Sequence, residues 1–79
     1  MDIENKPKSV FNVCKFLVAN NERWISDYEI NEIAKRYHEE IIDELIAYNV
    51  VTSTKDGIFF EKENVDAMKR YLRKYGINI

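Results

Sequence analysis

Seventy-nine residues, 46% of them hydrophobic and 33% charged, allow one small domain, and two glycines and one proline exclude a disordered or loop-dominated chain. A single cysteine, Cys14, excludes an internal disulfide and a multi-cysteine metal site, and no apolar run approaches the roughly 18 residues of a membrane helix, so a soluble, cytoplasmic protein without a membrane partner is expected. The formal charge of −2 conceals an acidic middle: residues 22–49 hold eight acids against three bases, residues 50–79 hold six bases against four acids, and residues 1–21 carry +1.

Residues 1–8, MDIENKPK, read as a flexible N-terminal arm, with Pro7 suited to a first helical turn and Ser9 as an alternative cap. In the helix that follows, Val10, Phe11, Val13, Cys14, Phe16, Leu17 and Val18 cover an arc of about 220°, wide enough for contact from two sides. Asn20 and Asn21 end it. Trp24 and Ile25 form a short β-prone pair. Ser26 and Glu29 have the spacing of a capping box, in which the hydroxyl meets an early backbone N–H and the carboxylate reaches back. The second helix, about residues 27–35, turns Ile30, Ile33 and Ala34 inward and Glu29 and Glu32 outward.

Lys35, Arg36 and Tyr37 lead to a third helix within HEEIIDELIAY, residues 38–48. Its Ile41, Ile42, Leu45 and Ile46 share an arc of about 140°, while Glu39, Glu40, Asp43 and Glu44 occupy the opposite one. Asn49 tolerates the left-handed conformation that stops a helix. The period then changes, because VVTSTKDGIFFE sets β-branched and aromatic residues on either side of Lys55-Asp56-Gly57, the chemistry of a tight hairpin turn. Asn64 is the expected cap of a last helix, with Val65, Met68, Tyr71, Leu72 and Tyr75 on one side and Lys69, Arg70, Arg73 and Lys74 on the other. Gly76 ends that helix and residues 77–79 form a tail.

The expected fold is mainly α with a small β-hairpin, in the order α-β-α-α-β-β-α, as one domain over residues 9–76. This order resembles the winged helix-turn-helix superfamily from about Ser9 to Tyr75. WISDYEINEIAKRY corresponds to its strand and first helix of the turn, HEEIIDELIAYN to its recognition helix, VVTSTKDGIFFE to its wing and NVDAMKRYLRKY to a trailing helix. The resemblance implies a non-catalytic protein of the small transcriptional-regulator type that binds double-stranded DNA, and it is compatible with a homodimer.

The acidic third helix departs from that pattern. Duplex DNA carries one charge per ~1.7 Å, and affinity comes from cations that release its counterions. One carboxylate, Glu39 or Glu40, could accept from a cytosine amino group, but four oppose binding. DNA contact is therefore expected from Lys35 and Arg36 in the turn, from Lys55 and Lys62 at the wing, and from Lys69, Arg70, Arg73 and Lys74. The bland alternative for that last group is a solvated stripe favoured by the helix dipole.

In a second reading, Glu39, Glu40, Asp43 and Glu44 dock on a basic protein partner. In a third, the acidic face of one copy meets the basic helix of another. His38 stands alone at a helix start and suits a polar or capping role, and Cys14 lies on a buried arc as a small hydrophobe. No phosphate loop or nucleophile motif is present, so neither catalysis, a cofactor nor a bound metal is expected.

Overall fold

The structure, a computed structural model, describes residues 5–78. It is mainly helical, with four α-helices and a small three-stranded antiparallel sheet. α1 spans Lys6–Ala19, β1 Trp24–Ile25, α2 Asp27–Arg36, α3 Glu40–Ala47, β2 Thr52–Thr54, β3 Gly57–Phe59 and α4 Val65–Lys74.

α1 begins earlier than the sequence suggests. Asn5 caps it by accepting from the Lys8 N–H at 3.0 Å, and Pro7 occupies the first turn, where its missing N–H costs nothing. Lys6 and Lys8 thus belong to the helix rather than to a flexible arm. Ser9, considered as a cap, is fully buried within the helix. Residues 1–4 of the expected arm lie outside the described residues. The helix stops after Ala19, where the Asn20 side chain donates to the Phe16 carbonyl at 2.8 Å. Glu22, in the left-handed region at φ 59°, then donates its N–H to the Phe60 carbonyl at 2.8 Å and fastens the loop to the hairpin.

α2 opens on the expected capping box, in which Ser26 Oγ accepts from the Glu29 N–H and the Glu29 carboxylate accepts from the Ser26 N–H. α3 and α4 end alike. Asn49 (φ 60°) and Gly76 (φ 76°) adopt the left-handed conformation, and the next residues donate back, Val50 to Leu45 at 2.9 Å and Ile77 to Leu72 at 3.0 Å. Ile77, in the expected tail, packs on the core, and Ile79 lies outside the described residues. The N-terminus of α4 differs from expectation: a 3-10 turn, Lys62–Asn64, leads into it, and the Asn64 side chain donates to the Val50 carbonyl at 3.2 Å instead of capping the helix.

The two-residue β1 joins the hairpin, giving the strand order β1-β3-β2, with Ile25 opposite Ile58 and Trp24 opposite Phe59. Alternation sends Ile25 and Ile58 into the core and leaves Trp24 and Phe59 packed on each other outside, ring centroids 5.0 Å apart. Gly57 is what permits this three-strand contact. A Cβ on it would lie 2.0 Å from the Ile25 carbonyl oxygen, and its φ of 120° belongs to glycine. Val10, Val13 and Leu17 of α1, Ile41 and Leu45 of α3, and Tyr71 and Leu72 of α4 complete one core with Ile25, Ile58 and Phe60.

Candidate nucleic-acid interface

α4 alternates sides at helical spacing. Ala67, Met68, Tyr71 and Leu72 are buried, which turns Lys69, Arg70 and Arg73 outward along about one turn. None of these three has an ion pair or side-chain hydrogen bond among the described residues. Lys74 is different. It lies 3.9 Å from Glu44 and stands over the rings of Tyr48 and Tyr75, at 5.4 and 5.5 Å from their centroids. The stripe of four cations read from the sequence therefore reduces to three that remain unengaged.

The other candidate cations sit on separate elements. Lys55 occupies the β2–β3 turn and Lys62 the 3-10 turn before α4, both exposed. Lys35 and Arg36 end α2 among acids: Lys35 lies 3.8 Å from Glu32, and Arg36 borders a shallow pocket that also contains Glu29 and Glu32. Their field is offset locally. Glu29 itself is bound by Arg23 at 2.7 Å, and that pairing first, then the Ser26 N–H, holds its carboxyl down at about 2.

The acids of α3 separate into two kinds. Glu39 and Asp43 point to solvent without a partner among the described residues. Glu44, placed by helical period on the arc opposite the apolar one, is instead half-buried and engaged. Its Oε1 accepts from both the Tyr71 and the Tyr75 hydroxyl at 2.7 Å, and its Oε2 faces Lys6 Nζ at 3.3 Å. Burial pushes the Glu44 pKa up, but the two tyrosines and Lys6 outweigh it and hold the carboxyl below its ordinary value. Burial first, and then Glu44, raise the Tyr71 pKa, keeping that phenol a neutral donor.

Lys6 also binds Glu40 at 3.0 Å and stands 5.4 Å from the centroid of the Tyr75 ring. Burial alone would lower its pKa, yet its hydrogen bonds to Glu40, Tyr75 and Glu44 raise it overall. Sequence reasoning missed Lys6 because it was placed in the arm; the signal was Asn5 followed by Pro7, which puts Lys6 in a first helical turn. His38 Nδ1 lies 3.9 Å from Glu40 Oε1, an ion pair only when the imidazole is protonated. Cys14 is buried, which pushes its thiol up to about 12 and makes it unreactive.

Two of the four acids proposed to dock a basic partner, Glu40 and Glu44, are thus engaged by Lys6 and, for Glu44, by two tyrosine hydroxyls, while six of the eight cations proposed to meet phosphate, Arg36, Lys55, Lys62, Lys69, Arg70 and Arg73, have no ion pair or side-chain hydrogen bond among the described residues. Among the described residues no cluster of three His, Cys, Asp or Glu side chains could hold a metal ion, and no helix is long and apolar enough to cross a membrane. No protein-family model matches the chain, and no curated protein or solved structure shows significant similarity to it.

Proposed function

We propose that this protein is a winged helix-turn-helix module that binds double-stranded DNA as a small transcriptional regulator, gripping phosphates with α4 and the hairpin tip rather than reading bases with α3. The observation that carries the reading is the unengaged stripe Lys69, Arg70 and Arg73. The element order and the β1-β3-β2 sheet support the winged-helix part of the proposal. Lys55 on the wing turn and Lys62 beside α4 extend the basic surface. Glu39 and Asp43 keep α3 acidic on its outer side and oppose deep insertion of that helix among phosphates. Glu39, at the helix start and without a capping hydrogen bond, is left as the acid to accept from one base.

The test is a fluorescence-anisotropy titration of duplex DNA at several salt concentrations. Each phosphate contact contributes about −0.9 to the slope of log K against log salt, so Lys69→Ala/Arg70→Ala/Arg73→Ala should flatten the slope by about 2.7. Lys74→Ala should change it little, because that ammonium is held by Glu44 and two tyrosine rings. Absence of binding by the wild type at low salt removes the proposal, as does an unchanged slope in the triple variant.

A further inference from the structure

The flank of α1 away from α2 leaves apolar surface uncovered. Phe11, Val18 and Ala19, beside Cys14, face Met68 and Leu72 of α4 across an open groove of about 320 Å³, with Lys15 as its charged lining residue. Of the six large hydrophobic side chains that remain exposed among the described residues, Phe11 and Val18 lie on this flank, and Val65 continues it three residues before Met68. Val18 is 50% exposed, so an occupant that covers it gains the burial of that apolar area. The groove has room for a few side chains rather than for a whole helix. An occupant would therefore seat apolar anchors in it and lie across both helices.

Charge selects the occupant. Lys15 stands over the Phe11 ring, 5.4 Å from its centroid, on the α1 bank. Lys69 lies on the α4 bank, three residues before Leu72 and four after Val65. Neither has an ion pair or side-chain hydrogen bond among the described residues. A second copy docked about a twofold axis through the groove would bring these lysines against lysines of its own kind, and like charges across an interface are penalised. We infer that the groove receives an amphipathic helix from another protein, its apolar stripe seated on Phe11, Val18, Met68 and Leu72 and its acidic flanks paired with Lys15 and Lys69. Such a helix carries anchors at i, i+3, i+4 and i+7. Lys69 is shared with the stripe assigned to phosphate, so the two surfaces adjoin, but the groove stands on its own residues and does not depend on DNA binding.

Two helical peptides test the inference, identical in leucines at the anchor positions and differing in glutamate or lysine at the flanks. The glutamate peptide should bind in a fluorescence-anisotropy titration and shift the amide resonances of Phe11, Val18 and Leu72. Lys15→Glu and, separately, Val18→Asp should each weaken it on the order of tenfold. The lysine peptide should bind the wild type more weakly by a similar factor. Both substitutions alter exposed side chains, and far-ultraviolet circular dichroism confirms that the variants fold. DNA titrations of the same variants separate this proposal from the nucleic-acid reading, since neither residue belongs to the phosphate set. No binding of the glutamate peptide, equal binding of the two peptides, or shifts confined to other faces would overturn it. So would a wild-type dimer in sedimentation that Val18→Asp converts to monomer, because a second copy would then be the occupant.

Discussion

Replacing Glu44 with alanine separates a solvated acid from a structural hub. A surface carboxylate can be removed within about 0.5 kcal/mol. Here the substitution takes the acceptor from Tyr71, which is fully buried, and from the half-buried Tyr75, both at 2.7 Å. Leaving the buried hydroxyl unpaired costs about 1–3 kcal/mol, and losing the bond to the more accessible one about 0.5–1.5 kcal/mol. Lys6 contributes little to the sum, since it keeps Glu40 at 3.0 Å. The expected loss is therefore about 1.5–4.5 kcal/mol in urea unfolding followed by circular dichroism at pH 7. For a domain of this size each kcal/mol lowers Tm by about 4–8 °C. Tyr71→Phe removes the donor instead and should cost about 1–1.5 kcal/mol, because Glu44 retains Tyr75 and Lys6. In the double variant neither partner is stranded, so the two costs should fall short of additivity by about 1–2 kcal/mol. Strict additivity, or a loss below about 0.5 kcal/mol for Glu44→Ala, would refute the hub.

Three further outcomes follow from the same geometry. Gly57→Ala should destabilise by roughly 2–5 kcal/mol in thermal unfolding, combining a disfavoured positive φ with a Cβ forced against the Ile25 carbonyl. Retention of the wild-type Tm would mean that β1 does not approach the hairpin so closely. Leu45→Ala, at a fully buried position on α3, should cost about 2–5 kcal/mol in urea unfolding, and a value near zero would place α3 outside the core. Glu29 and Glu44 have folded pKa values below the ordinary carboxylate range, so their stabilisation is complete above the unfolded value of about 4.3 and is lost as pH falls through the folded values, near 2 for Glu29. Tm should accordingly fall between about pH 5 and pH 2, and Glu44→Gln should flatten that limb; an unchanged limb in the variant would show that Glu44 does not titrate as an engaged carboxylate.

What the sequence determined by itself is what depends on a few neighbouring residues. The capping box of Ser26 and Glu29, the left-handed stops at Asn49 and Gly76, and the turn at Lys55-Asp56-Gly57 all close within about five residues, so composition and spacing decide them. The same holds for the outward direction of Lys69, Arg70 and Arg73, because helical period alone sets the amphipathic face of α4. Two local readings fail, both at helix starts: Ser9 is weighed as a cap of α1 while Asn5 and Pro7 already supply the signal, and Asn64 is read as the cap of α4 although its side chain reaches the Val50 carbonyl instead.

Tertiary structure decided whatever needed to know which neighbour lies beside a face. Period places Asp43 and Glu44 alike, each about 60° beyond one edge of the apolar arc of α3. Only the packing of α4 distinguishes them, since Tyr71 and Tyr75 cover the Glu44 edge and leave Asp43 in water. Likewise the two residues of β1 carry no information about their partner, and it is the approach to β3, over the space left by Gly57, that makes the third strand. Helical and strand periods fix angles about one axis; the contents of the space beyond each face depend on chain segments tens of residues away.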